Sequence, residues 1–584
     1  MKRVILTLSV TAVTLAALLL LSCRGGSSVG TGDSNQPVTD PTASVSRFPY
    51  DADYPVTDSQ IGNPTAYITA QCYTKTADDI GGVHNPCYAC HTTGKAPNYV
   101  TDSDLQTAYS FPGPALSNPW SNLFVDRSAE VDAISDQEIL DYVRTSNYIA
   151  DDGSLILSDL LRHLPPNWDL RGDGQWHGYI PDSYFDFDAE GFDRDPAGGY
   201  TGWRAFAYYP FPGTFWPTNG STDDVLIRLG AEFREDDHGV FDLQIYKTNL
   251  AIVEALIKRH DIPIEAVDEQ RLGVDLDKDG VLARAEHIAY DWAPTEGRTL
   301  SFVGRARQLQ SEGRVTPAAG LFPLGTEFLH SVRYIDPLPD GSITLAARMK
   351  ELRYAHKVTE YPYYVLEQAA QQETRERALD PDAIRQISGD IERGMFTQGW
   401  RYQGFIEDRN GDLRPQTKEE TLFCMGCHGG IGATSDTIFS FPRKFGHPSD
   451  ALAGWSYWSQ QGLTGMPDPH RPDGVGEYAH YLAQNGAGDE FRTNEEVMTR
   501  FYDASGNLRQ EAIDRLRDDV SYLLNPTTER AVALDKAYRV IVVNQEFVHG
   551  RDAHVAPLTT VHQQVDQGQS TGVTTVDPVS GIVD

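Results

Sequence analysis

The sequence predicts an α+β body of mixed helices and short strands with long irregular connections. Apolar residues at alternating three and four spacings, several behind a capping residue, mark the helices. Brief runs rich in aromatic and β-branched residues mark the strands. A short motif, Cys-x-x-Cys-His, occurs twice and far apart, at Cys87, Cys90, His91 and at Cys424, Cys427, His428.

In chain order, residues 1–23 begin with Lys2 and Arg3, continue as an apolar run and end in Leu20-Leu21-Ser22-Cys23. This is the layout of an export signal, with no stop-transfer pattern behind it. Residues 24–47 are Gly, Ser, Thr, Pro and Asp without apolar period, which predicts a flexible tether. The region 48–240 holds the first Cys/His motif. Within it Ser135 and Glu138 open a helix through Ile139, Leu140 and Val143, and strands are expected at 203–209 and 225–229. The aromatic stretch beginning at Gly202 reads as core packing, with the lining of a cofactor edge as the alternative. The region 241–315 starts with a helix capped by Asp242 and carries an acidic loop. The region 316–562 has a strand at 342–346, a capping box Thr417–Glu420 ahead of the second motif, and a helix through Ile513, Leu516, Val520, Leu523 and Leu524 that stops at Pro526. Residues 563–584 are polar and read as a loose tail.

Composition bounds the partners. The chain has 584 residues with 49 basic and 83 acidic side chains, a net charge of −34. That argues against nucleic acid and for basic protein partners, although acidity also serves solubility alone.

Six cysteines are present: Cys23, Cys72, Cys87, Cys90, Cys424 and Cys427. Pairs three apart, each followed by His, match the c-type haem attachment signature. Two sulfurs one helical turn apart add across the haem vinyl groups, and the next residue places an imidazole beneath the iron. A structural zinc site would need further Cys or His at short spacing, and a redox Cys-x-x-Cys leaves both histidines unexplained. The expectation is therefore two haem c, with His91 and His428 as proximal ligands and a fold arranged around them. Pro86 suits the first turn at the first motif. For the distal position, the first motif has His84, His163, His177 and His330 available, and the second has His447 and Met466. Cys72 has no cysteine left to pair with. It is expected to be a buried inert thiol, an intermolecular bridge, or a reactive or ligating thiolate.

Asp275, Asp277, Asp279, Gly280 and Glu286 fit the twelve-residue calcium loop, with Val281 giving a backbone carbonyl and Leu282 as its apolar residue. A structural Ca²⁺ is expected there, an acidic surface turn being the alternative. Asp408, Asn410, Asp412 and Glu419 repeat the spacing with Leu413 where glycine belongs.

The Cys23 ending resembles the bacterial lipobox, which implies acylation of that cysteine. Arg24, where Asp would signal inner-membrane retention, implies the outer membrane. With the two Cys/His motifs, the chain resembles dihaem c-type cytochrome lipoproteins of Gram-negative bacteria. The resemblance implies a lipid-anchored carrier, periplasmic or facing the cell surface, that exchanges electrons with other cytochromes or periplasmic carriers and meets the membrane only through its anchor. The alternative is a dihaem peroxidase or sulfur-oxyanion oxidoreductase with one open or Cys-ligated haem.

Overall fold

The structure, a computed structural model, describes residues 62–573 apart from 78–83, 85, 93, 95, 98–105, 214–216, 447–453, 487, 489 and 493. The described residues form one compact unit. The strands, in chain order, are β1 (Phe192–Arg194), β2 (Tyr200–Phe206), β3 (Thr222–Arg228), β4 (Ile262–Asp268), β5 (Arg284–Ile288), β6 (Glu327–Pro337), β7 (Ile343–Lys357), β8 (Ser388–Asp390), β9 (Gly394–Thr397), β10 (Trp400–Glu407) and β11 (Leu413–Pro415). Nine of them make one sheet in the order β1-β2-β3-β6-β7-β10-β9-β8, with β11 on β10. Every pairing is antiparallel. β4 and β5 form a separate ribbon.

This corrects the expected fold class. The body is α+β, but it is organised by a large antiparallel sheet and not by short strands gathered around haems. Its centre is the β6–β7 hairpin, with strands of 11 and 15 residues. The strand expected at 342–346 is the start of β7, and its continuation was hidden because Lys350, Glu351, Arg353 and Lys357 interrupt the apolar pattern by which a buried strand is read. Glu351 and Lys357 are nevertheless buried, each paired with an opposite charge. The sheet also takes β1–β3 from the region 48–240 and β6–β11 from the region 316–562, so those two regions fold as one.

Side chains alternate across the strands. Trp203, Leu226, Leu329, Leu352 and Phe405 pack on one face against Leu157 and Leu161 of the helix Ile156–Arg162. The larger core includes Val225, Ile227 and Phe328 together with the helix Leu243–Lys258. A third cluster joins Tyr334, Ala346 and Ile406 to the helices Asp136–Arg144 and Thr528–Asn544. Among the described residues no helix is long and apolar enough to cross a membrane.

The expected caps are in place. Ser135 accepts from the Glu138 amide, and Asp242 accepts from the Ile245 amide. The helix expected around 513–524 is two pieces, Gln510–Asp518 and Ser521–Leu524, because Asp519 between them is extended. The described part of the tail is not loose: Val565, Thr571 and Val573 are buried.

The capping box at Thr417 does more than start a helix. Glu420 returns to the Thr417 amide at 2.8 Å and also takes both Arg414 amino groups at 2.8 and 2.9 Å. Both side chains are 3% exposed. Glu420→Ala removes a cap and strips Arg414 of its carboxylate, an uncompensated buried charge worth about 3–5 kcal/mol. Urea denaturation should show that loss, and a cost below about 1 kcal/mol would mean the pair is dispensable.

Candidate functional site around Cys424, Cys427 and His428

From this cap the chain runs through Lys418–Leu422 directly into the helix Cys424–Cys427. The His428 amide donates to the Cys424 carbonyl at 3.0 Å, closing one helical turn with both thiols on it. Gly426 is required between the cysteines, since a Cβ there would lie 1.9 Å from the Tyr67 carbonyl oxygen.

The His428 ring is held from outside the motif. Its Nδ1 lies 2.7 Å from the Thr437 carbonyl, so Nδ1 carries the proton and Nε2 keeps its lone pair. Burial pushes the imidazole down to about 4, against the pull of that hydrogen bond. The carbonyl is presented by a strained turn. Asp436 and Thr437 both have left-handed φ, +48° and +67°, rare for residues with a Cβ and a marked outlier for β-branched Thr. The buried Asp436 carboxylate anchors the turn by accepting from Lys357 Nζ at 2.5 Å and the Phe322 amide at 3.0 Å. The Thr437 hydroxyl meets the Tyr402 hydroxyl, and the Tyr402 ring lies 4.6 Å from the imidazole.

Cys87, Cys90 and His91 repeat the local turn. Pro86 precedes the short helix Cys87–Ala89, and the His91 amide donates to the Cys87 carbonyl at 2.8 Å. Tyr88 is buried, with its ring 5.4 Å from that of His480. The two turns, distant in sequence, come together in space. A Cβ on Gly432 would lie 2.0 Å from the Thr92 carbonyl oxygen, so the segments that follow His91 and His428 touch backbone to backbone. The run His428-Gly-Gly-Ile-Gly432 was the available signal, because glycine permits such an approach.

Cys424, Cys427 and His428 line a cavity holding about 1520 Å³ of atom-free space, part of it open to solvent. Its walls include Phe211, Phe328, Phe423, Phe439, Tyr208, Tyr402 and His330, and its charged groups include Lys350, Glu351, Arg353, Arg492 and Arg551. His330 Nε2 lies 2.6 Å from Asp223 Oδ2, which also accepts from Tyr208 at 2.5 Å. The second motif's surroundings therefore include one expected distal candidate. It is His330, which the sequence had offered to the first motif.

A family model described as "-like lipoprotein" matches residues 55–520. The chain belongs to this lipoprotein family. An uncharacterised lipoprotein of Aquifex aeolicus (strain VF5) is 30% identical over 581 residues, covering 88% of this chain and 90% of the relative. No solved structure matches. The resemblance to dihaem c-type cytochrome lipoproteins is corrected accordingly: the match is to a lipoprotein family, not to a cytochrome family. Family membership makes the chain a lipoprotein, while Cys23 itself lies outside the described residues.

The other candidates in this lipoprotein are placed as follows. Met466 does not line the cavity; it packs on the core with its sulfur 3.9 Å from Gln461 Nε2. His447 lies outside the described residues. His163 is bonded through Nδ1 to the Asp159 carbonyl, and His177 pairs with Asp173, both at the surface. His84 is buried and bridges to Asn485. Cys72 is half-buried beside the Thr69 hydroxyl at 3.5 Å and is not part of the cavity wall. No disulfide joins any of the five described cysteines.

The acidic loop keeps its turn but gathers other carboxylates than its spacing implies. Gly280 has φ +88°, and its amide donates to Asp275 Oδ2 at 3.1 Å. Asp279 Oδ1 accepts from the Val281 amide, and Asp277 Oδ1 from the Asp279 amide. Glu286, however, stands on β5, because the chain leaves the loop as a strand and not as a helix; its side chain is 75% exposed, near Arg284. Val281 and Leu282 are exposed as well. The carboxylate that approaches is Glu269, which is buried and groups with Asp275 and Asp277 within 4.8 Å. Sequence spacing could not show it, since Glu269 lies upstream of the loop. Asp408 closes the β10–β11 turn through the amides of Asn410, Gly411 and Asp412, while Glu419 holds the Gly62 and Asn63 amides instead.

Behind the cavity, Glu407 is fully buried and accepts from Tyr334 at 2.7 Å and Tyr142 at 2.8 Å. Burial raises it to about 7, against Tyr334, Arg348 and Tyr142. An unfolded Glu titrates near about 4.3, so between that value and 7 the native state holds a proton the unfolded state has lost. Stability should therefore fall as pH rises across this window, by about 2–3 kcal/mol from this group. Glu407→Gln should remove that part of the slope in urea melts at pH 4.5 and 7.5. Equal slopes in the two proteins would show that Glu407 is ionised throughout.

Proposed function

We propose that this lipoprotein is an electron-transfer protein with haem joined by thioether bonds at Cys87/Cys90 and at Cys424/Cys427. The observation that carries the reading is the contact between the two Cys-x-x-Cys-His turns through Thr92 and Gly432, which brings two like motifs side by side. The residues fit the group. Each motif offers its cysteines and its histidine on a single turn. His428 has the ring N–H satisfied by a carbonyl, as metal-ligating histidines do. The adjoining cavity is walled by aromatic rings, with a few charged groups among them, as small-molecule and cofactor sites are.

A bound haem supplies an iron that takes up and releases one electron. His428 Nε2 and His330 would be the residues to hold that iron, and the Phe and Tyr rings would exclude water from it. The Asp223 carboxylate, 2.6 Å from His330 Nε2, fixes the orientation of that ring at the cavity wall. The protein faces the periplasm or the cell surface from the outer membrane, held by the acyl chains on Cys23. The net charge of −34 favours basic redox partners.

Pyridine haemochrome assay of the denatured protein should find two haems per chain. Cys424→Ala/Cys427→Ala and Cys87→Ala/Cys90→Ala should each keep one. No haem on the wild-type chain, exported in a host with haem-attachment machinery, would refute the reading.

The same proposal includes a structural Ca²⁺ held by Asp275, Asp277 and Glu269, with Asp279 and the Val281 carbonyl at its edge. Asp275 Oδ1 supports it, being an enclosed oxygen without a hydrogen-bond donor. A ligand bound only by the native state raises the melting temperature. Chelation should lower that temperature in the wild type and in Glu286→Ala, but not in Asp275→Ala/Asp277→Ala. A chelator-insensitive wild-type melt would leave the loop as an acidic turn.

A further inference from the structure

One wall of the cavity presents hydrogen-bond donors that the protein leaves without acceptors. Tyr538, on the helix Thr528–Asn544, is 3% exposed, lines the cavity, and its hydroxyl has no partner. Arg551 is 8% exposed and also lines it. Its Nη1 donates to Glu351 at 3.0 Å and its Nη2 to the Glu420 carbonyl, while Nε has no acceptor. Lys350 is 1% exposed, with Nζ 4.3 Å above the Tyr538 ring. It donates to the Gly220 carbonyl and the Ser221 hydroxyl. Buried donors without acceptors are costly, and two of them on one wall call for a common acceptor.

The charge count points the same way. Glu351 serves two guanidinium groups, accepting from Arg353 Nε at 2.9 Å and from Arg551 at 3.0 Å. Arg492 and Asp552 balance each other at 2.5 Å. Asp535 is the acidic group that acts most strongly on Lys350, and burial raises its carboxyl well above the usual range, which weakens it as a counter-charge. Burial also draws Lys350 down, to about 8, which leaves it mainly cationic at pH 7. This wall therefore carries surplus positive charge in a chain whose net charge is −34.

We infer that Lys350, Tyr538 and Arg551 form a binding site for an oxyanion beside Cys424, Cys427 and His428. The ligand group is a carboxylate or a small inorganic oxyanion such as sulfite. It accepts from the Tyr538 hydroxyl and Arg551 Nε and offsets the Lys350 charge. Two sources share this chemistry: a propionate of a haem attached at Cys424/Cys427, or a free anion entering the cavity as a substrate. The inference rests on the proposed haem attachment only for the first source.

The test uses the purified full-length lipoprotein, its haem counted beforehand, titrated calorimetrically with sulfite and with phosphate. Tyr538→Phe removes only the unpartnered hydroxyl, and Arg551→Lys keeps the charge while removing Nε. With a free anion as ligand, wild type binds sulfite or phosphate and both variants bind it at least tenfold more weakly. With a propionate as ligand, no added anion binds, but both variants shift the midpoint potential of the haem retained by the Cys87→Ala/Cys90→Ala protein. Anion binding that both variants leave unchanged overturns the site, as does the absence of any binding together with an unchanged potential. A haem-free protein defeats the proposed function alone, and the titration then decides the oxyanion site by itself.

Discussion

Much of the structure hangs on one buried carboxylate. Glu351, in the middle of the long strand β7, accepts from Arg353 on its own strand, from Arg551 near the C-terminus and from Gln416 after β11. Burial alone would raise this group, yet Arg353 and Arg551 outweigh it and hold the carboxyl near 2. Arg551 continues to the Glu420 carbonyl, and Glu420 in turn holds Arg414 and the Thr417 amide. The sheet, the C-terminal segment and the helix leading to Cys424 are thus tied through one chain of charge-assisted hydrogen bonds. Removing a member leaves the others buried without compensation, which costs far more than an exposed pair would.

That network explains what was legible in the sequence and what was not. Local chemistry showed through: the Thr417 and Asp242 caps, Pro86, the two Cys/His turns and the glycine of the acidic loop each depend on residues a few positions apart. Tertiary compensation did not. β7 carries charges where a buried strand should be apolar, and its partners Asp436, Gln416 and Arg551 lie far along the chain. The acidic loop failed in the same way. Its spacing matched residue for residue, but the exit is a strand, so Glu286 turns away and Glu269, upstream, takes the inward place.

The site repeats this division. Sequence identified Cys424, Cys427 and His428 from their spacing, but not the groups that set the state of His428. Its proton is fixed by the Thr437 carbonyl, and that carbonyl is aimed by a left-handed turn which Asp436 and Lys357 hold in place. A strained Thr persists only where its surroundings over-determine it. Here the anchors are a buried ion pair and a hydroxyl contact with Tyr402, all on the cavity side of the sheet. In the aromatic stretch after Gly202, Trp203 and Phe206 are core, as expected, while Tyr208 and Phe211 also reach the cavity.

The charge distribution then bears on how an anion reaches the cavity. With 83 acidic and 49 basic side chains, the protein's field as a whole repels anions, while the wall formed by Lys350, Arg353 and Arg551 attracts them at short range. A free anion therefore crosses a repulsive region before meeting an attractive one, and its rate of entry rises with ionic strength as the outer field is screened. A carboxylate carried on a covalently attached group avoids that crossing, since it is delivered once, when the group is joined. The cationic wall consequently demands less of its surroundings when its anion arrives attached, and an acidic exterior is then free to serve the docking of basic partners.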